Sequence, residues 1–545
     1  MDIATATATE LADAIRDRQL SSRELLDDLV GRAERLNPAL NAIVAWDTER
    51  ARTAAKAADD ATANGDIGGP LHGLPMTIKD VFETEGLVTT SGAPELSAYV
   101  PRADAVAVAR LKAAGAIVFG KTNTPLYAGD WQTYNDVYGR TSNPWDHERT
   151  VGGSSGGAAA AVAAGLTPFE LGSDIGGSIR IPAHYNGVYG LKPSHGLVPL
   201  TGHIPGPPGS LVQPDVGVAG PIARGIQDLR TALRIVAGPI PRDARAWRLE
   251  LDAGPTIGDV SELRIATVFT EGTDVVPVGA DVRASLDRFA AGLSDAGARV
   301  DAVPLPVPLA DGLATWRDIV LPFIGTGLPE ATYAQLAGAT GDPWAAAMTG
   351  SYRSVVVATD IRERQRAVWA EFFENYDVVL APVMPTVAFP HDTDRPLTER
   401  MIDVDGTPVP HAASTAWCCA IGGTLLPVLT MPTGVGASGL PVGVQAIGPF
   451  LADLRLLRIG EIMADATGIG FTPPPAGLQR RLTTRRPAVR SGAPCLAGWF
   501  QATLRRRGRG RRAWRAWPPW CGGPGRPASR CGRAASRQRR RSARR

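Results

Sequence analysis

Two serines in glycine-rich segments and one distant lysine are the residues of this chain best suited to nucleophilic chemistry. Ser154 and Ser178 lie 24 positions apart, each in a loop of small residues, and Lys79 ends an otherwise uncharged segment that begins at Leu74. A serine becomes a nucleophile when a base accepts its proton and hydrogen-bond donors stabilise the oxyanion that forms. The pattern therefore predicts a site in which a serine is the nucleophile and a lysine is the general base.

The residues just before Ser178 predict the oxyanion site. Ile175, Gly176 and Gly177 precede this serine, and glycines let backbone N–H groups face a substrate without a Cβ in the way. Converging N–H groups would stabilise a tetrahedral intermediate formed on Ser178. Ser154 can lie between the nucleophile and the lysine and pass the proton along.

Lys79 can accept a proton only when it is neutral. Its ordinary pKa is about 10.4, so burial away from carboxylates must lower it. Residues 70–81 predict a loop followed by a buried strand, with Lys79 at the strand's end. Asp80 would oppose the shift unless its side chain points to the other face of the strand.

Three neighbours of the serines are predicted to support them. Asp174 and Arg180 flank the second loop, either as a solvated ion pair or as groups that hold the glycines in shape, and we favour the second interpretation. Ser155, beside the bridging serine, is grouped with them. These residues would shape the site without taking part in bond making.

Other motifs in the chain favour simpler explanations. Residues 152–156 match the nucleophile elbow G-x-S-x-G, but that motif needs a preceding strand and residues 143–150 look like a loop. Residues 434–439 match G-x-G-x-x-G between two predicted strands, which favours a hairpin turn over a dinucleotide site. The seven histidines are scattered, so we predict no metal and no Ser-His-Asp triad. The simpler alternative to a catalytic site is that both glycine- and serine-rich segments are ordinary tight turns and that Lys79 is a surface lysine.

Charge is distributed unevenly along the 545 residues. Residues 480–545 hold 21 arginines and no Asp, Glu or Lys, which leaves 36 of the 57 basic residues in the first 479, against all 54 acidic ones. The body, residues 1–479, therefore has a net charge of −18, whereas the whole chain has +3.

The cysteines of the body are the adjacent Cys418 and Cys419. The N-terminus does not resemble a signal peptide, so we expect a reduced cytoplasmic protein.

Predicted strands alternate with predicted helices, which indicates an α/β fold with a parallel or mixed sheet. Residues 158–164 predict a small-residue helix, and residues 280–296 and 361–376 predict amphipathic helices. Residues 412–452 carry no formal charge, but glycines and prolines interrupt them, so buried strands and turns are expected there and not a membrane span.

These motifs together resemble the amidase signature family. The resemblance rests on GGSSGG at 152–157, GSDIGGSIRIP at 172–182, GLKP at 190–193, GLPMTIKD at 73–80, GKTN at 120–123 and LPVGVQ at 440–445, and it covers about residues 5–475. It implies a three-layer α/β/α fold around a mixed central β-sheet. It also implies hydrolysis of a carboxamide to an acid and ammonia or an amine, with no cofactor.

The resemblance assigns roles to individual residues. Ser178 would be the acyl-enzyme nucleophile, Ser154 a bridging serine with a cis backbone, and Lys79 the base. The oxyanion amides would be those of residues 175–178. Where the family often has an aromatic residue and then a cysteine, this chain has His184, Tyr185 and Asn186, and near Cys418 it lacks the family's asparagine. Because of these departures, the resemblance does not identify the residues that line the substrate pocket. The lining predicted here is Ala128, Trp131 and Tyr134.

Two other functions remain open. The same three catalytic residues occur in the amidase-type subunit of glutamine-dependent aminoacyl-tRNA amidotransferases, which hands its ammonia to a partner. The expected partner here is a small-molecule amide, with a homodimer as an open alternative and no membrane. We predict an amidase domain over residues 1–478. The arginine-rich tail, 479–545, is interpreted as disordered or aberrantly translated, and a nucleic-acid-binding arm is the alternative from another class.

Overall fold

The computed structural model describes residues 1–204, 212–246, 248–251, 254, 257–270, 272, 275–339 and 341–475. The predicted tail, 479–545, lies outside the described residues, so the interpretation of that segment stays a prediction. None of the helices in the described ranges has the length and apolar character needed to cross a membrane.

The described part of the chain contains both helices and strands throughout. The helices are α1 (Ala8–Arg16), α2 (Ser22–Leu40), α3 (Thr48–Asn64), α4 (Val106–Ala113), α5 (Gly156–Ala163), α6 (Arg180–Asn186), α7 (Ile226–Val236), α8 (Ala280–Asp295), α9 (Leu309–Gly325), α10 (Glu330–Ala337), α11 (Pro343–Met348), α12 (Tyr352–Phe372), α13 (His411–Ser414), α14 (Ala416–Gly423) and α15 (Asp453–Thr467). The strands are β1 (Ile43–Trp46), β2 (Pro75–Lys79), β3 (Ile117–Thr122), β4 (Tyr134–Asn135), β5 (Gly139–Arg140), β6 (Phe169–Asp174), β7 (Tyr189–Lys192), β8 (Val218–Ala223), β9 (Arg264–Thr267), β10 (Arg299–Ala302), β11 (Val378–Pro382), β12 (Met401–Val404), β13 (Thr407–Pro410), β14 (Val428–Val435) and β15 (Pro441–Ile447).

An eight-stranded sheet forms the centre of the fold, in the order β10-β9-β11-β15-β14-β7-β8-β6. Strands β10, β9 and β11 pair in parallel, and the remaining pairs are antiparallel. The sheet is therefore mixed, as predicted. A smaller sheet, β1-β3-β2, brings β2 against β6 at the edge of the large one.

Alternate residues of the central strands enter different cores, which is what a sheet covered on both faces requires. In β11, Val378 and Leu380 join the core that includes α7, α8 and α15, whereas Val379 and Ala381 join the core that includes α6 and α14. Helices thus cover both faces of the sheet, and the predicted three-layer α/β/α fold is confirmed.

Several local predictions are confirmed with shifted boundaries. The strand that carries Lys79 is β2, which is buried along its length, and the small-residue helix is α5. The predicted helix at 361–376 is α12, which begins at Tyr352 and ends at Phe372. The uncharged segment 412–452 contains the expected strands as the antiparallel pair β14–β15, but it also contains helix α14, which was not predicted. The G-x-G-x-x-G match covers the end of β14 and the turn that leads to β15. Residues 143–150 contain no strand, so the nucleophile-elbow context is missing.

One strand that positions the site was not predicted. The segment before Ser178 looked like a loop, but β6 extends through Gly172 and Ser173 to Asp174 and pairs with β8. Its sequence, FELGSD, shows neither an apolar run nor strict alternation. A glutamate such as Glu170 is not expected in a buried strand, and it is buried here because of tertiary contacts. Of the segment that was predicted to be a loop, only residues 175–178 lie after the end of β6. We call these residues the glycine loop.

Candidate active site

Lys79 lies at the end of β2 and is completely buried. Its Nζ donates to the hydroxyl oxygen of Ser154 at 2.7 Å and to that of Ser173 at 3.0 Å. The structure thus brings the predicted base to the predicted bridging serine across 75 residues of sequence. Ser173, which sequence reasoning did not single out, is a second oxygen partner contributed by β6.

Burial lowers the pKa of Lys79 to about 7, although the negative charges of Asp174 and Glu170 raise it in part. Desolvation is the larger effect because burial removes the ammonium group from bulk water, which disfavours its charged form. Asp80 does not reverse this shift, since its carboxylate accepts hydrogen bonds from Thr90 and interacts with Lys121. A substantial fraction of Lys79 is therefore neutral near pH 7.

The two serine segments are joined by backbone contacts. Ser154 and Ser155 lie just before α5, and the N–H of Ser155 donates to the carbonyl of Ser178 at 3.1 Å. The hydroxyl of Ser155 also donates to the carbonyl of Ser173 at 3.3 Å. The Gly153–Ser154 peptide bond is cis. Both predicted reactive serines are nearly buried, with 1% exposure for Ser154 and 5% for Ser178.

Asp174 and Arg180 form an ion pair of 2.8 Å in which both side chains are essentially inaccessible to solvent. The carboxylate also accepts the N–H groups of Gly177 at 2.8 Å and Ile179 at 3.0 Å. Burial by itself would raise the pKa of Asp174, but Arg180 and these amides hold it well below its ordinary value. A solvated pair is therefore the wrong interpretation, and the contacts are those of a group that holds the glycine loop.

The amides of the glycine loop fall into two groups. Among the described residues, no acceptor receives a hydrogen bond from the N–H of Ile175, Gly176 or Ser178. The N–H of Gly177 donates to Asp174. Three of the four predicted oxyanion donors are thus available to a substrate oxygen in this conformation, and the fourth is occupied because it helps to anchor the loop.

Glycine is required at position 177 for two reasons. Its φ is +107°, a conformation that other residues rarely adopt, and a Cβ there would lie 2.8 Å from that of Cys418. Helix α14 therefore packs directly behind the loop. This close approach explains why the predicted loop consists of small residues.

The predicted pocket residues lie in different surroundings. The indole N–H of Trp131 donates to the carbonyl of Gly176 at 2.9 Å, which brings Trp131 to the glycine loop. Tyr134 is 6% exposed, its hydroxyl donates to Asp130 at 3.2 Å, and its ring lies 5.5 Å from the guanidinium of Arg400. Ala128 is half-buried, with φ +55°. The structure thus places Trp131 beside the glycine loop, and a pocket lined by all three residues stays a prediction.

The family departure at His184 has a structural explanation. The ring of His184 is buried, and its two nitrogens lie 3.2 Å and 3.1 Å from the carbonyls of Gly443 and Thr386. The N–H of Gly443 also donates to this ring at 2.8 Å. His184 thus connects α6 to β15 and supports the helix that follows the glycine loop.

Comparisons with known proteins show the family to which this chain belongs. A family model described as Amidase matches residues 24–315 and 341–457. The chain belongs to the amidase signature family. The residues that match the family model include the segments that carry the lysine, the serines and the glycine loop.

Relatives within the amidase signature family have more than one name. The chain is 36% identical over 488 residues to a glutamyl-tRNA(Gln) amidotransferase subunit from Roseiflexus sp. (strain RS-1), covering 84% of this chain and 95% of the relative. It is also 36% identical over 458 residues to an indoleacetamide hydrolase from Bradyrhizobium diazoefficiens, covering 83% and 84%. A solved structure of the corresponding glutamyl-tRNA(Gln) amidotransferase subunit from Thermotoga maritima superposes with a TM-score of 0.69 at 27% identity, over 87% and 98% of the two chains.

The pKa of Lys79 predicts how activity depends on pH. If neutral Lys79 is the base, kcat/KM should fall about tenfold per pH unit below about pH 7, because the protonated amine cannot accept a proton. Initial rates between pH 5 and 9, with circular dichroism to check folding, would measure this acid limb. A rate that does not fall below about pH 7 in a folded protein would contradict the assignment to Lys79.

Proposed function

We propose that this chain hydrolyses a carboxamide through an acyl-enzyme on Ser178, with Ser154 as proton relay and Lys79 as base. One observation carries the proposal: a buried lysine, with a pKa of about 7, donates at 2.7 Å to a serine of the glycine-rich segment. The available amides of Ile175, Gly176 and Ser178 support it, because they can donate to a developing oxyanion.

The proposed reaction has two halves. The Oγ of Ser178 attacks the amide carbon while its proton passes to Ser154 and the proton of Ser154 passes to Lys79. The tetrahedral oxyanion is stabilised by the glycine loop, and the proton returns by the same route to the leaving nitrogen as the C–N bond breaks. Water then attacks the acyl-enzyme with the same base, which releases the carboxylic acid and restores the Ser178 hydroxyl.

A second candidate function is that of the amidase-type subunit in a tRNA-dependent amidotransferase. Relatives named as glutamyl-tRNA(Gln) amidotransferase subunits match 84–88% of this chain at 33–36% identity. In that case the same hydrolysis would act on glutamine, and the ammonia would be passed to a partner protein. The indoleacetamide hydrolase matches at the same identity, so similarity by itself does not separate the candidates.

An amide panel tests both candidates on the purified full chain. Aliphatic, aromatic and peptide amides and L-glutamine would be supplied separately, with ammonia or amine release as the activity measurement. Rapid acid quench and peptide mass spectrometry would locate the acyl adduct. We expect turnover without a second protein and an adduct on the peptide that contains Ser178. Activity confined to glutamine and dependent on a copurifying protein would favour the second candidate, and an adduct elsewhere would contradict the proposed nucleophile.

A further inference from the structure

Trp316 contacts the glycine loop from a part of the chain where the family model has no match. It lies in α9, immediately after the first matched segment ends at residue 315, and only 2% of its surface is exposed. Its indole N–H donates to the carbonyl of Ile175 at 2.6 Å. Its ring lies 2.9 Å from the position that a Cβ on Gly176 would occupy. Trp316 therefore packs against the loop and also bonds to it.

This hydrogen bond determines where the N–H of Gly176 points. The peptide between Ile175 and Gly176 is trans and planar, so its C=O and N–H point in opposite directions. With the carbonyl held by Trp316, the N–H must face away from the tryptophan. This N–H is one of the three loop amides that donate to no acceptor among the described residues.

Without such a partner, the peptide could rotate. Gly176 and Gly177 are adjacent, and glycine permits backbone conformations that other residues do not. The next peptide is held at both ends, by Trp131 at the carbonyl of Gly176 and by Asp174 at the N–H of Gly177. For the peptide that supplies the Gly176 donor, the bond from Trp316 is the only side-chain hydrogen bond among the described residues.

Other buried tryptophans show that such a bond is not a general consequence of burial. Trp369 and Trp417 are buried, yet their indole N–H groups find no partner among the described residues. Trp344 packs beside Trp316, with ring centroids 6.3 Å apart, and makes no hydrogen bond to residues 175–178 in the described ranges. The indole N–H of Trp316 is thus directed at the loop.

We propose that Trp316 is a positioning residue for amide hydrolysis, which holds the Ile175–Gly176 peptide so that the Gly176 N–H faces the oxyanion. This inference rests on the proposed function. Donors that are already oriented stabilise the transition state without reorganising during the reaction, so the bond should matter more for the tetrahedral intermediate than for substrate binding. Its loss should lower kcat and leave KM nearly unchanged.

Two replacements of Trp316 test the proposal in the full-length enzyme. Trp316→Phe removes the N–H along with part of the ring, and site-specific incorporation of 3-benzothienylalanine replaces only the N–H by sulfur. We expect both to lower kcat by about 10- to 100-fold, which is less than the about 10²- to 10³-fold loss on removal of an oxyanion donor itself. A boronic acid that forms a tetrahedral adduct should bind more weakly by a similar factor, whereas the product carboxylic acid should bind as before.

Two control variants distinguish a failure of the positioning role of Trp316 from a failure of the proposed function. Trp344→Phe changes the neighbouring ring without touching the loop, so its kcat should stay within about twofold of the original. If the benzothienyl variant retains the original kcat and boronic acid affinity, the positioning role is wrong, whatever Trp316→Phe does. Ser178→Ala is assayed in parallel: an active Ser178→Ala enzyme would overturn the proposed function, whereas an inactive one with normal Trp316 variants would overturn this inference alone.

Discussion

Replacing Ser178 by alanine should abolish amide hydrolysis while the protein stays folded. We expect kcat to fall by at least about 10⁴-fold, because no other group can take over the covalent step and what remains comes from binding and the oxyanion donors. Ser178 is 5% exposed, and the hydrogen bond that joins it to Ser155 uses its backbone carbonyl, so loss of the hydroxyl should cost little stability. Ammonia release under saturating substrate, together with intact-protein mass spectrometry, would measure the loss of turnover and of the acyl adduct.

Ser285→Ala is a matched control for this variant. Ser285 is also buried, but it lies on α8, where its hydroxyl is 3.0 Å from that of Thr433. Its removal should change the melting temperature and not the rate. If Ser178→Ala and Ser285→Ala are equally active, Ser178 is not the nucleophile, and the glycine loop has some other purpose.

Lys79→Met should be nearly as damaging as the loss of the nucleophile. Methionine occupies the same buried space without a group that can accept a proton, so we expect kcat to fall by about 10³-fold or more. Stability should behave differently. The folded-state pKa of about 7 lies below the value of 10.5 for a free lysine, so the unfolded chain binds more protons between these values. Lys79 thus destabilises the fold at pH 7, and this cost fades as the pH rises toward 10.5.

Thermal unfolding of Lys79→Met would check that second expectation, since its melting temperature at pH 7 should be equal to or higher than that of the original chain. Lys192→Met is the matched control: burial also lowers the pKa of Lys192 to about 7, but its ammonium donates to the carbonyls of Pro193 and Leu426. It should retain most of its activity. Comparable losses of kcat in the two variants would mean that burying a charge, and not general base catalysis, explains the effect.

Prediction from the sequence was most successful where a short segment contains its own signal. The strand that ends at Lys79 is itself an apolar segment, and the run of small residues at 158–164 indicated the helix that the structure has as α5. The glycine-rich segments indicated the loop before Ser178. These features depend on neighbours within a few residues, so no knowledge of the rest of the fold was needed.

Prediction was less successful where the decisive contact comes from a distant element. The sequence left open whether Asp174 and Arg180 were solvated, and the structure shows both buried, with Arg180 also donating to the carbonyl of Cys418. It grouped Gly177 with the other oxyanion amides, whereas its N–H donates to Asp174. It gave no indication of Trp316, which lies 141 residues from Ile175 in the chain.

The sequence by itself thus determined which residue types are available for catalysis: a lysine at a strand end, two serines, and glycines before one of them. Only the tertiary structure decided the protonation of the lysine and the orientation of the backbone amides. Lys79 has a lowered pKa because β2 is buried against β6, and the Gly176 N–H has a direction because α9 supplies an indole to the carbonyl before it. Burial and hydrogen-bond partners arise from packing between distant segments, and local sequence patterns do not encode that packing.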